Sequence, residues 1–141
     1  MSADLTLERL RLLLGTWKGS GEGRFPTIDP FLYEETLVFR HRDGTDYLTY
    51  EQTAHLVDRR GRFLEPSHWE AGALRAEDDG AVTLSSAHDS LRVEVMRGTA
   101  EAGSAGADGA ARAGAPGLLI QLASVLHAND PRMKASAREI R

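Results

Sequence analysis

The feature that most restricts the fold is a series of short segments whose side chains alternate between two faces. In the segment Tyr33–His41, the apolar residues Leu37 and Phe39 share one side of an extended chain. A period of two is typical of a β-strand that turns one face to a core. Further strand-like segments follow at residues 46–58, 81–89, 90–98, 117–126 and 132–141. The chain is therefore predicted to form a sheet of many strands.

Short turn sequences at residues 42–46, 58–62, 77–80 and 88–90 separate these segments and leave no room for long helices. Because a parallel α/β sheet needs such helices, the pattern predicts an all-β antiparallel meander. Before it, leucine-rich residues 5–14 predict a short amphipathic helix that covers the core. Asp4 is placed to cap this helix and Gly15 to end it.

A glycine-rich segment, GTWKGSGEGRFPT, spans Gly15–Thr27 and has glycine at residues 15, 19, 21 and 23. It is not a phosphate-binding loop, because the Gly-Lys-Ser/Thr ending is missing and no helix follows. It is not a dinucleotide fingerprint, because no strand precedes it. Its alternating glycines predict a strand with free space on one face, for a neighbouring element or a flat ligand. The purely structural alternative is a tightly curved barrel strand whose Trp17 closes one end of the barrel.

The segment Gly98–Gly117 consists almost entirely of Gly and Ala with a few polar residues. It offers little apolar surface to offset the entropy of ordering the chain. We predict a flexible loop there, between two strands of one domain that spans residues 1–141.

Composition excludes several classes of function. The net charge of −4 and the pI of about 5.7 argue against a nucleic-acid partner, which needs a clustered basic face. The absence of cysteine excludes disulfides and thiolate metal sites. The longest apolar run, Leu12–Leu14, is too short to span a membrane, and the N-terminus lacks the basic start of a signal peptide. A cytoplasmic location without a membrane partner is the default expectation.

The segment Gly15–His41 resembles the start of the nitrobindin family of heme-binding β-barrels. That family carries a Gly-x-Trp-x-Gly-x-Gly motif followed by an aromatic–Pro–Thr step, which ends here at Thr27. The segments 47–70 and 82–99 resemble later hairpins of the family, so the resemblance covers most of residues 8–99. It implies these cofactor-binding residues: Gly15, Trp17, Gly19, Gly21 and Thr27.

The resemblance implies an antiparallel β-barrel related in shape to fatty-acid-binding proteins, with heme b in a pocket at one end. In the family, a histidine near the C-terminus ligates the iron from one side, and the other side is open. Ferric iron in that setting is associated with nitric oxide binding and with isomerisation of peroxynitrite to nitrate.

The C-terminal part departs from the family, whose axial histidine lies on the last strand in a Pro-His-Leu-x-Ala context. In one alignment, residues 130–141 are that strand and Arg132 stands at the ligand position. In the other, which we prefer, residues 118–141 match an earlier hairpin and the last hairpin is missing. Both alignments predict that no histidine occupies the axial position. A missing hairpin would leave open edges, which recruit other chains. Either the barrel closes with fewer strands, or a homodimer covers the gap, or the sequence is part of a longer domain.

Other residue combinations give weaker signals. His68 and Glu70 resemble part of a cation site, but odd–even alternation places Glu65 on the opposite strand face. Ser85 and Ser86 near His88 and Asp89 resemble catalytic residue types, yet no nucleophile elbow surrounds them and the segment is read as a turn. We therefore predict no catalytic residue and no metal ligand. The remaining histidines, none assigned to iron, are His41, His55 and His127.

Three functions stay open at this point. The first is binding of heme or a similar flat apolar ligand, with peroxynitrite chemistry placed in doubt by the missing axial histidine. The second is noncatalytic carriage of a fatty acid or another small apolar molecule in the same cavity. The third is a degenerate barrel whose role is protein contact.

Overall fold

The computed structural model describes residues 3–103, 117–128 and 137–140. A short helix, α1 (Ala3–Leu10), continues into one 3₁₀ turn at Arg11–Leu13. Eight strands follow in the described part of the chain: β1 (Gly15–Phe25), β2 (Ile28–His41), β3 (Tyr47–Val57), β4 (Phe63–Ala76), β5 (Val82–His88), β6 (Val93–Gly103), β7 (Gly117–Ala128) and β8 (Ala137–Ile140).

The strands form one antiparallel sheet in which each strand pairs with its neighbours in sequence, in the order β1 to β8. The predicted all-β antiparallel fold with a short N-terminal helix is thereby confirmed. Within the described residues, β1 and β8 are the two edges of this curled, barrel-like sheet. No helix in the same part of the chain is both long and apolar enough to cross a membrane.

The structure corrects the start of the predicted loop at Gly98–Gly117. Strand β6 continues to Gly103, because Ala100 pairs with Ile120 and is 1% exposed. The small residues of this segment fit a strand that pairs with β7. Because the segment lacks large apolar residues, the sequence pattern does not predict this part of the strand. Residues 104–116 of the predicted loop lie outside the described residues.

One face of the sheet, the inner face, carries the apolar core. Helix α1 packs against β4 and β6 and buries Leu10 completely. The Thr6 hydroxyl donates a 2.9 Å hydrogen bond to the Gly80 carbonyl oxygen, which ties the helix to the β4–β5 turn. Each fully buried Leu, Ile or Met side chain contributes about 1.5–3 kcal/mol. This helix-covered region, here the closed end, contains Leu10, Leu13, Leu48, Leu74, Val82, Leu84, Met96, Ala100 and Ile120.

The opposite end of the inner face, here the open end, is polar. Register places Gln52 beside Glu70 and Glu70 beside His88, across β3, β4 and β5. Residues directly opposite each other on paired strands share a face. The next row of the inner face, farther from the closed end, consists of Gly19, Glu35, Ala54 and His68.

Two glycines allow neighbouring strands to approach closely along this curled sheet. A Cβ at Gly72 would overlap the Ser85 carbonyl oxygen of β5, and one at Gly98 would overlap the Gln121 carbonyl oxygen of β7. A side chain at either position would push the strands apart. Glycines of this kind permit the local kinks that curl a sheet.

Candidate functional site at the open end

The glycine-rich segment forms β1, and two of its glycines are covered by aromatic rings. A Cβ at Gly21 would meet the Tyr33 hydroxyl oxygen at 2.5 Å, and one at Gly23 would overlap the Phe31 ring. The two rings therefore occupy the space that the glycine pattern predicts. Aromatic side chains of β2, and not a ligand, use the free face at these two positions.

At Gly19 the backbone remains uncovered. The nearest atoms to a Cβ there belong to the flexible side chain of Glu35, at 3.8 Å and beyond. Gly15 has a different role, because its φ of +121° is a backbone conformation that other residues rarely adopt. Gly15 also has open space around it, so Gly19 is the motif glycine that combines accessible space with an ordinary extended backbone.

Trp17 and Thr27 lie at opposite ends of the β1 region. Trp17 is paired with Leu37, and its indole Nε1 donates a 2.7 Å hydrogen bond to the Leu13 carbonyl oxygen. This bond anchors the ring beside the 3₁₀ turn, although Trp17 is 51% exposed and lies outside the buried core. Thr27 is an exposed residue of the β1–β2 turn, at the open end.

Glu70 is the centre of a buried polar cluster, and its side chain is 3% exposed. The Tyr50 hydroxyl donates a 2.8 Å hydrogen bond to Oε2 of Glu70. Arg138 donates from Nη1 to Oε2 at 3.2 Å and from Nη2 to Oε1 at 3.3 Å. This two-pronged pairing fixes the guanidinium against the carboxylate and joins β8 to β4 across the inner face.

The charges in this group support one another. Burial opposes ionisation of Glu70, but the charge of Arg138 and the hydrogen bonds from Tyr50 and Arg138 outweigh it and lower the pKa. Burial likewise opposes the charge of Arg138, yet attraction to Glu70 raises its pKa. Burial and the Glu70 charge both raise the pKa of Tyr50. The group is therefore a carboxylate, a guanidinium and a neutral phenol.

His88 lies beside Glu70 with its side chain 1% exposed. Its Nε2 is 3.9 Å from Oε2 of Glu70 and 3.1 Å from Oγ of Ser86. Burial lowers the pKa of His88; the Glu70 charge opposes this shift, and the Arg92 guanidinium adds to it. The net shift is downward, so the imidazole is neutral at pH 7.

His68 completes the cluster on its solvent side, with a side chain that is 35% exposed. Its Nε2 is 3.5 Å from Oε1 of Glu70, and its Nδ1 is 3.7 Å from Oδ1 of Asp89 in the β5–β6 turn. The ring centroids of His68 and His88 are 5.4 Å apart. One ligand atom each from His68, Glu70 and His88 lies within 4.8 Å of the other two.

This grouping differs from the one that the sequence suggested. Odd–even alternation fails in β4, because a register shift lets Ala54 pair with His68 and Leu56 pair with Glu65. Glu65 therefore shares the inner face, yet the third member of the cluster is His88. The residues that sequence analysis missed altogether are Tyr50 and Arg138.

The remaining histidines of the described chain lie elsewhere. His55 is on the outer face of β3, with Nε2 3.4 Å from Oε2 of Glu34. His41 Nε2 is 2.9 Å from the Thr45 carbonyl oxygen in the β2–β3 turn. The side chain of His127 lies outside the described part of the structure. So does Arg132, the residue that one alignment places at the ligand position.

Residues 6–108 match the model of the THAP4-like, heme-binding β-barrel domain. The chain belongs to this family. The resemblance to nitrobindins is thereby confirmed, and the family supports heme as a ligand class for the domain.

Peroxynitrite isomerase 2 of Mycobacterium marinum is 44% identical over 101 residues, which cover 70% of this chain and 60% of that protein. Peroxynitrite isomerase 1 of Mycobacterium tuberculosis is 43% identical over 102 residues, which cover 70% and 58% of the two chains. The crystal structure of Rv2717c from M. tuberculosis is similar with a TM-score of 0.73 at 32% identity, covering 95% of this chain and 77% of that one. This chain thus spans 60% or less of the length of these two curated relatives.

Proposed function

We propose that the open end of the inner face binds heme b or a similarly flat apolar ligand. The observation that carries the proposal is the row of Gly19, Glu35, Ala54 and His68, which register places side by side from β1 to β4. Two of these four residues have no side chain beyond Cβ. We infer that the row forms a shallow trough on the inner face, and family membership supports heme as its occupant.

The residues around the trough fit a ligand with apolar faces and polar edges. By register, Leu37 flanks the trough on the side of the closed end. Tyr33 and Leu56 flank it on the opposite side, still on the inner face. Glu35 and His68 supply polar groups within the row. Buried apolar area contributes roughly 25 cal/mol per Å², against which the entropy of association acts. Apolar contact with Leu37, Tyr33 and Leu56 is therefore one expected source of affinity, beside the polar groups of the row.

The five residues that the resemblance implies take different parts in this proposal. Gly19 lines the trough, and Gly21 admits the aromatic ring that flanks it. Gly15 and Trp17 shape the closed end of β1, so their effect on the ligand is indirect. Thr27 lies on the turn at the rim of the open end.

Isomerisation of peroxynitrite is proposed only as a consequence of heme binding. Heme, when bound, would supply the iron chemistry for which the relatives are named. Because both sequence alignments predict no axial histidine, we expect weaker heme retention than in a barrel with that bond. Among the histidines whose side chains the structure describes, His68 is the one that register places in this row.

Titration of the purified protein with ferric hemin, followed by the Soret band, tests the proposal. We expect a saturable, sharpened band near one equivalent of hemin. A spectrum identical to that of free hemin would contradict the proposal. Displacement of a fluorescent fatty-acid probe without hemin uptake would instead support a carrier of small apolar molecules, which the flanking residues Leu37 and Leu56 also fit.

A further inference from the structure

The open end holds a second kind of candidate site, formed by two imidazoles and a carboxylate. We propose that, in the protein without heme, His68, Glu70 and His88 bind one divalent transition-metal ion such as Zn²⁺ or Co²⁺. Two histidines and one carboxylate are a ligand set that such ions use in proteins, with an open position left for water. The proposal concerns bound metal alone and does not depend on the proposed function.

The distances between the ligand atoms are near those that a metal ion requires. Nε2 of His68 is 3.5 Å from Oε1 of Glu70, and Nε2 of His88 is 3.9 Å from Oε2. Ligand atoms of a tetrahedral ion with bonds of about 2.0–2.2 Å lie about 3.3–3.6 Å apart. Because the three ligand atoms lie only within 4.8 Å of one another, the side chains must rotate to meet one ion. His68 has the freedom to do so because it lies at the solvent boundary.

Asp89 is placed to orient the imidazole of His68. Oδ1 of Asp89 faces Nδ1 of His68, which leaves Nε2 of that ring directed toward Glu70. A carboxylate on the far nitrogen is the usual partner of a metal-binding histidine. Oγ of Ser86 lies 3.1 Å from Nε2 of His88, so this contact must break before His88 can bind the ion.

Two guanidinium groups oppose a cation at this place, because Arg92 Nη2 lies 3.4 Å from Nε2 of His88 and Arg138 pairs with Glu70. Arg138 donates to both oxygens of Glu70, and Tyr50 donates to Oε2. A carboxylate has about four lone-pair positions, so one remains on Oε1, the oxygen that faces His68. The metal uses that position while Arg138 stays hydrogen-bonded to the carboxylate. Removal of the Arg138 charge should consequently tighten metal binding.

The test is a titration of metal-free protein with Co²⁺, followed by visible absorption, and with Zn²⁺, followed by calorimetry. We expect one ion per chain and intense Co²⁺ bands of low coordination number. His68→Ala should weaken binding at least about tenfold, and Arg138→Gln should strengthen it. His55→Ala, which removes a comparably exposed histidine beside Glu34 on the outer face, should leave affinity unchanged.

Three results would overturn the proposal. These are the absence of saturable binding to the wild-type protein, equal affinity of His68→Ala and wild type, and an equal loss in His68→Ala and His55→Ala. Because His68 is partly exposed, its alanine variant is expected to fold. The cooperative unfolding transition of each variant checks this before the titration.

Discussion

The two ends of the inner face bury side chains of opposite character. At the closed end, Leu48, Leu74 and Ile120 are completely buried beneath α1. At the open end, Glu70 and His88 are each 3% exposed, yet both are polar. Burial of a charge costs several kcal/mol unless partners compensate for it. The fold is therefore stabilised mainly at the closed end, and the open end carries groups whose presence stability alone does not explain.

This difference indicates where function resides. Sites that break the usual rules of packing are often the functional ones. Here the exception is the carboxylate of Glu70, which lies next to two histidines. It can stay buried because Tyr50 and Arg138 donate hydrogen bonds to it. A chain shaped only for stability would fill the same space with leucines. The following predictions, ordered from the largest effect to the smallest, separate the two ends experimentally.

Truncation at the closed end should cause the largest loss of stability. Leu74→Ala removes a completely buried side chain and should lower the free energy of unfolding by about 2–5 kcal/mol. Leu64→Ala is the control, because Leu64 is 57% exposed on the same strand, and its effect should stay within about 0.5 kcal/mol. Urea unfolding measures both. Equal effects would show that the core is not where the structure places it.

Disruption of the buried ion pair should have the next largest effect. Loss of one partner of a buried pair costs about 3–5 kcal/mol. Because the Arg138 side chain is 27% exposed and can turn to water, we expect about 2 kcal/mol for Glu70→Leu. Glu70→Leu combined with Arg138→Leu should recover most of that loss, as a double-mutant cycle would show. A double variant less stable than Glu70→Leu would refute the coupling.

Acid should destabilise the open end in two stages. The pKa of His88 is lowered by folding, so the unfolded chain binds its proton first and stability falls as pH drops below about 6.5. The pKa of Glu70 is also lowered, so its contribution is lost below about 4.3 as pH falls through the folded-state pKa. In His88→Asn, the free energy of unfolding measured against pH should no longer fall in the upper stage, below about pH 6.5. An unchanged profile in that variant would assign the upper stage to another group.

The hydrogen bond of Trp17 should have the smallest measurable effect. Trp17→Phe removes the bond to the Leu13 carbonyl oxygen and should cost about 0.5–1.5 kcal/mol. Trp69→Phe is the matched control, because its indole donates at 3.2 Å to Glu51 in an exposed position on the outer face. Loss of the Trp69 hydrogen bond should change the free energy of unfolding little. Thermal unfolding compares the two, and an equal cost would remove the special role of Trp17 at the closed end.

Local sequence features were sufficient for the strands and turns. Alternation identified Tyr33–His41 as part of β2, and glycines with positive φ lie in the predicted turns at Gly44, Gly61 and Gly80. These features depend on neighbours in the chain, which a sequence displays. The family followed from the motif around Trp17, and the matching family model confirms it.

The cluster at the open end could not be found in the same way. The His68 and Glu70 spacing shows a shared face, but the register between β4 and β5 decides that His88 joins them. The pairing of Glu70 with Arg138 spans 68 positions in the chain. The register shift after Ala54 also changes which residues share a face. Such relations arise only when strands pair, so residue spacing does not reveal them.

The central claim, that the inner face of the open end receives a flat ligand, is tested most directly by two neighbouring tryptophan substitutions. Ala54→Trp fills the trough, whereas Thr53→Trp adds the same bulk to the exposed outer face of β3. Ferric hemin titration should show loss of the saturable Soret change in Ala54→Trp and its retention in Thr53→Trp, with both variants folded. Hemin binding to Ala54→Trp with wild-type affinity would contradict the account.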